Sequence, residues 1–289
     1  VTSSVPQGTV IGPLGFLIFI NDLPWRVKNS VRLFADGCVL YTCGDTEEDL
    51  LSLQDDLNSL EEWQNEWKMK FNPGKCKIMQ ITTKRDPPKP KFTFCGEILE
   101  EVENHPYLGV EIDSTLKWTK HITQITAKAN RTLGFIKRNL WFTPREIKAA
   151  AYMTMVRPTL EYASCAWDPY TAADIKKIEK IQRRAARFVM KDYSRESSVT
   201  DMLNTLEWET LEERRKKARL TMLYKIQNQL IGIDQDKYLT KTTETRTRSS
   251  GQTKFIRGTA TKNVYKYSHS FLFSKDNKYG NRIRTYPVA

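Results

Sequence analysis

The chain has 289 residues, 39% of them hydrophobic and 28% charged, which excludes a wholly disordered polymer and leaves room for two domains. Lys and Arg number 46 against 34 Asp and Glu, a net charge of +12, and such an excess points to a polyanionic partner, nucleic acid before an anionic membrane surface. The five cysteines form no C-x-x-C pair and the three histidines stand apart from them, so zinc-ligand spacing is excluded and the odd, scattered count suits free thiols in a reducing, intracellular compartment, nuclear or cytoplasmic.

Taken in order, Val1–Thr9 (VTSSVPQGT) is a polar loop in which Pro6, Gln7 and Gly8 make a turn, Gly8 permitting close backbone approach. The chain starts at Val1 rather than Met, without a basic n-region, and Val10–Ile20 is a poor signal peptide. That run is too short for a membrane span and contains Gly12, Pro13 and Gly15. The start reads as a cut edge: either sequence upstream is missing or the gene is broken there. Pro13 suits the first turn of a helix that runs to about Leu23, is apolar nearly all round and is therefore expected to be buried.

In Val31–Tyr41 (VRLFADGCVLY) two apolar runs flank Ala35-Asp36-Gly37, which predicts a hairpin with Asp36-Gly37 at a type I′ tip. Thr46 and Asp49 resemble a capping box. Leu50, Leu53, Leu57, Leu60, Trp63 and Trp67 then recur on one helical face. Asn72-Pro73-Gly74 is a turn, and Cys76–Thr82 alternates like a strand. A stiff connection with Pro87, Pro88 and Pro90 precedes a small β section at Lys91–Glu101, with a turn at Cys95-Gly96, and Tyr107–Ile112 (YLGVEI) reads as one more strand.

After Trp118 helical patterns take over, at about Lys120–Leu140, Pro144–Met155, Ala172–Lys191 and Thr210–Gln229. Lys177, Lys180, Arg184, Arg187 and Lys191 fall on one face of the third of these, opposite Ile175, Ile178, Ile181 and Ala185, and Arg214–Lys217 with Arg219 form a second basic cluster. Such faces grip nucleic-acid phosphates or are simply solvated. Trp167 and Trp208 could stack on bases or sit in the core. The fold class is α+β, with an α+β layer over 1–113, a basic helical domain over 114–231 and a polar, weakly ordered tail over 232–289.

Each feature is ambiguous alone; their succession is less so. V-P-Q-G-x-x-x-G-P (Val5–Pro13) leads into an apolar helix, F-A-D (Phe34–Asp36) follows on a hairpin, then K-x-x-F-N-P-x-K-C (Lys68–Cys76) and Y-L-G-V (Tyr107–Val110). P-x-L-E-Y-A (Pro158–Ala163), C-A-W-D-P (Cys165–Pro169) and I-E-K-I-Q-R-R-A-A-R (Ile178–Arg187) come later. This order resembles the reverse transcriptase of non-LTR, LINE-type retrotransposons of jockey and CR1-like flavour, from the V-P-Q-G block onward. The resemblance weakens after about Leu230.

The resemblance implies a partial polymerase palm followed by a helical thumb and post-thumb region, and DNA synthesis on an RNA template. Its partners would be an RNA template with a DNA primer, or RNA–DNA hybrid, with no membrane and no zinc. Its cofactor would be Mg²⁺, two ions clamping the reacting oxygens about 4 Å apart. Asp36 takes a metal-ligand position, Pro6, Gln7 and Gly8 face the template–nucleotide pair, Lys75 assists the leaving pyrophosphate, and Tyr107, Leu108 and Gly109 support the primer end. In such enzymes the hairpin carries an Asp pair and an earlier strand a third Asp. Here the pair reads Asp36-Gly37, and the earlier Asp would lie upstream of Val1. One carboxylate does not hold two divalent ions, so the chain is expected to be inactive by itself. The alternatives are a non-catalytic RNA or hybrid binder, a decayed element product whose truncated sheet leaves an edge unpaired, and part of a longer active product.

Overall fold

Helix α1 (Ile11–Ile20) ends before a 3₁₀ turn at Leu23–Trp25 that Pro24 initiates. It docks by one side. Phe19 sets its ring edge-on to Trp63 and Trp67 at 6.1 and 5.0 Å. Ile11, Leu14, Leu17 and Ile18 remain 55% to 72% exposed, so the all-round burial expected from composition does not occur.

The structure, a computed structural model, describes residues 9, 11–44, 46–82 and 90–234 and the backbone of 283–288. The chain divides into two compact units, one of 1–105, 113–116 and 281–289, the other of 106–112 and 117–280.

In the first unit, strands β1 (Ser30–Phe34) and β2 (Gly37–Gly44) form the expected hairpin. Helix α2 (Glu47–Trp67) begins with the capping box foreseen at Thr46 and Asp49 and ends at Lys68 in the left-handed conformation. Its Leu53, Leu57, Leu60 and Trp63 are buried against Cys38, Leu40, Cys76 and Ile78 of the strands. Asp22 accepts from the indole N–H groups of both Trp63 and Trp67 (3.0 and 3.1 Å), which fixes the end of α1 to α2. A 3₁₀ turn at Pro73–Lys75 leads into β3 (Lys77–Ile81).

Strands β4 (Thr93–Phe94) and β5 (Glu97–Ile98) form a hairpin whose turn is Cys95-Gly96, as predicted, both residues at positive φ (51° and 77°). Strand β6 (Glu100–Glu101) pairs in parallel with β3. The chain then makes the hairpin of β7 (Asn104–Tyr107) and β8 (Val110–Asp113). The last strand, β9 (Ile283–Val288), lies inside the sheet: the order is β1-β2-β9-β3-β6, with β9 antiparallel to both neighbours. The expected polar tail therefore ends in a strand, and the ladder runs without a gap from β2 to β3.

The second unit is helical: α3 (Thr119–Asn139), α4 (Arg145–Ala151), α5 (Arg157–Glu161), α6 (Ala172–Met190), α7 (Val199–Thr205) and α8 (Leu211–Gln227). A π turn, Tyr152–Val156, joins α4 to α5. Pro158 lies one turn on; its ring clashes with the carbonyl four residues before and it donates no N–H, and a widened turn accommodates both faults. Helices α6, α7 and α8 each start on a hydroxyl cap, Thr171, Ser198 and Thr210. The core gathers Ile122, Leu133, Tyr152, Trp167, Ile178 and Phe188. No described helix is long and apolar enough to cross a membrane.

Candidate functional site

The hairpin tip differs from its sequence reading by one residue. Phe34 pairs with Gly37, so the two-residue tip is Ala35-Asp36, and Ala35 takes the positive φ (50°). This register sets Val31 opposite Leu40 and Leu33 opposite Cys38, apolar against apolar on the core face. A tip at Asp36-Gly37 would set Val31 against Thr42, and burial on the inner face outweighs the local Asp-Gly preference. Asp36 is exposed at the tip. Gly37 begins β2, and a Cβ there would lie 3.3 Å from the Phe34 carbonyl oxygen, a tight fit for any second carboxylate.

The hairpin is anchored from below by a residue that the sequence reading passed over. Asp56 of α2 is buried and accepts the backbone N–H of Lys28 (2.7 Å) and of Asn29 (2.8 Å) and the Asn29 side-chain amide (2.8 Å). The available signal was a carboxylate between Leu53 and Leu60 on the face marked as apolar.

Lys75 is exposed in the turn before β3. Val39 of β2 and Lys77 of β3 both pair with Val288 of β9, so β2 and β3 run the same way and start at one end of the sheet. Asp36 lies one residue before β2 and Lys75 two residues before β3, so both share that end. Cys38 and Cys76, at the same strand starts, are buried, and burial pushes their thiols up to about 12 and about 11. They are packing groups, not nucleophiles. Among the described residues no group of three or more His, Cys, Asp or Glu could hold a metal ion. A pair of divalent cations needs several converging carboxylate oxygens, so the residues described do not fit a two-Mg²⁺ centre. Pro6, Gln7 and Gly8 lie outside the described residues.

Tyr107, Leu108 and Gly109 do not continue one strand to Ile112. Leu108 and Gly109 are the turn of the β7–β8 hairpin, with φ of 47° and 78°. A leucine in the left-handed region is strained, and a tertiary bond accompanies it here: the Tyr162 hydroxyl donates to the Leu108 carbonyl at 3.0 Å. A Cβ on Gly109 would meet the Tyr162 ring at 3.3 Å, so glycine serves both the dihedral and the close approach. The Tyr162 carbonyl in turn accepts from buried Trp167 (2.7 Å). The Y-L-G-V, E-Y-A and A-W-D blocks are thus parts of one packed corner. Beside it His121 is a buried core histidine: its ring meets Trp167 edge-on at 4.9 Å, Nδ1 accepts from the Glu111 amide, and burial holds it below its usual range.

The basic stripe is less uniform than its spacing suggests. Lys180, Arg184 and Lys191 are exposed. Lys177 is tied to Asp174 (3.0 Å) and Arg184 donates to Asn130 (2.9 Å). For Asp174, burial pushes the carboxyl up, but hydrogen bonds from Thr119, Lys177 and Thr171 outweigh it and leave it below the ordinary range. Arg187 is half-buried and spans the carbonyls of Asp192, Ser194 and Ser197, a structural task. Lys191 is the left-handed C-cap of α6 (φ 55°), not a member of its face. The second cluster is structural almost throughout. Arg214 pairs with Glu161, Arg215 and Arg219 share Asp168, and Lys217 pairs with Glu209. Trp167 is fully buried and Trp208 stacks on Tyr152 at 4.5 Å, so both are core residues.

Compared with known proteins, residues 1–112 match the family described as reverse transcriptase (RNA-dependent DNA polymerase). The chain is 28% identical over 206 residues to the probable RNA-directed DNA polymerase from transposon X-element of Drosophila melanogaster, 65% of this chain and 22% of that protein. It is 28% identical over 204 residues to the RNA-directed DNA polymerase from mobile element jockey of Drosophila funebris, with the same coverage. A third relative, the probable polymerase from transposon BS, is 27% identical over 203 residues. The chain spans about a fifth of the length of these curated relatives. No solved structure matches.

Proposed function

We propose, from the premise that residues 1–112 carry a reverse-transcriptase domain, that this chain is part of a transposon RNA-directed DNA polymerase and that its 289 residues hold template–primer nucleic acid without extending it by themselves. The observation that carries the reading is the coincidence of the family match with one sheet end bearing the Asp36 tip and the Lys75 turn. The first unit is read as palm and α3–α8 as thumb and post-thumb. Asp36 offers an exposed carboxylate toward the reacting end of the primer, and Lys75 an ammonium that can meet a leaving phosphate. Gln7 and Gly8, outside the described residues, are assigned to the template–nucleotide pair by the resemblance of their motif alone. Leu108-Gly109, pinned by Tyr162, is assigned by the resemblance to support of the primer end. Lys180 and Lys191 supply exposed phosphate contacts, seconded by Arg184. Gly37 in place of a second carboxylate supports binding without catalysis.

Filter binding of the purified chain to RNA–DNA hybrid across a salt series tests this. Two or three phosphate contacts give a log–log slope of about −2 to −3, and Lys180→Gln should shallow it by about one. No affinity at low salt, or affinity indifferent to salt, overturns the reading.

A further inference from the structure

The connection between α3 and α4 holds a feature that the stripe on α6 does not explain. Trp141 and Phe142 sit there at 41% and 92% exposure. Thr143 ties the connection down, donating through its amide and its hydroxyl to the Leu140 carbonyl, so the aromatic pair is presented on a fixed turn. The Trp141 ring stacks with Tyr193, just past the end of α6 (centroids 6.3 Å apart, planes at 22°). Cations surround this stack. Lys137 lies 5.8 Å from the Tyr193 ring and 5.9 Å from Phe188. Lys148 lies 5.1 Å from Phe188 and 6.0 Å from Trp141.

Lys148 is the telling member. Its side chain is fully buried, and among the described residues no carboxylate or carbonyl accepts from Nζ, whose polar neighbour is the Lys191 ammonium. A buried ammonium without a carboxylate is costly, and proteins normally pair it. Burial, and then the neighbouring Lys191 charge, hold Lys148 below the usual lysine range; burial and Arg184 do the same to Lys137. The acids nearest along the chain are engaged elsewhere: Glu146 with Arg145, and Asp192 with the Ser194 amide. Among the described residues none of Lys137, Lys148 and Lys191 is in an ion pair, so three cations gather at the exposed aromatic faces. An anion with a flat, stacking portion answers both features, and a nucleotide of an unpaired strand has both.

We infer that Trp141, Phe142 and Tyr193, with Lys137 and Lys191, form a binding site for single-stranded nucleic acid, bases stacking on the aromatic rings, phosphates lying against these two lysines, and buried Lys148 adding its charge from beneath. The inference rests on the nucleic-acid reading above and adds a strand preference that the α6 face alone would not confer. The buried lysine is then a stability cost retained for binding.

The test compares an oligouridylate of about ten nucleotides with a blunt RNA–DNA hybrid, using the full chain. Phe142→Ala touches a side chain already in solvent, so the fold is undisturbed. It and Trp141→Ala should each weaken oligouridylate binding about tenfold while leaving hybrid binding within about twofold. Lys148→Met, which keeps the volume and removes the charge, should raise the melting temperature and weaken oligouridylate binding. Variants that bind oligouridylate as well as the parent, or that lose both ligands in parallel, overturn the inference while the broader reading stands. A parent chain that binds neither ligand overturns both.

Discussion

Asp168→Ala is expected to destabilise the helical unit by about 3–5 kcal/mol, because it strands a buried guanidinium. Arg215 is 1% exposed, its Nε donates to Asp168 at 2.9 Å, and both of its Nη atoms lack a partner among the described residues. With the carboxylate gone, the charge left facing Arg215 is Glu179, which already accepts from the Leu211 and Glu212 amides. The more exposed Arg219, which shares Asp168, should behave otherwise: Arg219→Gln should cost less than about 1 kcal/mol. The double change Asp168→Leu with Arg215→Met should recover most of the loss, since an apolar pair of similar volume often does as well as a buried ion pair. Urea unfolding followed by far-UV circular dichroism measures all four chains. An Asp168→Ala midpoint equal to the parent's would show that the pair does not hold the C-A-W-D-P block to α8.

Asp56→Ala is the second large effect, expected at about 3 kcal/mol. It leaves two backbone amides and one side-chain amide without their charged acceptor. The consequence reaches past stability. Lys28 and Asn29 lead directly into β1, so Asp56 sets where the hairpin leaves α2 and hence where Asp36 stands. Asp56→Asn keeps one acceptor oxygen and should cost about half as much. Tryptophan fluorescence during guanidinium unfolding reads it out through Trp63, which is fully buried on the same helix. A loss under about 0.5 kcal/mol for the alanine variant would mean that the hairpin is held by its ladder alone.

Much of the fold was legible where local chemistry decides. The Thr46–Asp49 capping box, the Cys95-Gly96 turn and the main helices of the second unit fall close to where propensity and periodicity put them. The errors come from tertiary effects. The Asp36-Gly37 tip moved back one residue because cross-strand burial of Val31 and Leu33 outranks a turn preference. The Y-L-G-V strand broke into a turn whose Leu108 carbonyl is bonded by a hydroxyl 54 residues away, which no local window reveals. The apolar composition of α1 predicts burial all round; composition does not say how many faces find a partner. The strand Ile283–Val288 pairs with segments some two hundred residues earlier, and its own stretch of sequence gives no sign of it.

The candidate site divides in the same way. The family resemblance picked out Asp36 and Lys75, and the sheet register sets both at one end. It did not separate cations that are exposed from cations already spent. Arg187 and the α8 arginines carry the right charge at the right period, yet their guanidinium groups serve carbonyls and the carboxylates of Glu161 and Asp168. Periodicity reports which face a residue is on and is silent about what that face meets. The reverse error hid Lys148 and Trp141, which fit no stripe and matter through their surroundings.

The account turns on whether one carboxylate at a well-built hairpin tip suffices for chemistry. The most direct measurement is primer extension on an RNA template with Mg²⁺ or Mn²⁺, using a preparation of the 289-residue chain that binds the same hybrid. The account predicts retention of the hybrid and no template-dependent product. Template-dependent synthesis that disappears in Asp36→Asn would contradict it.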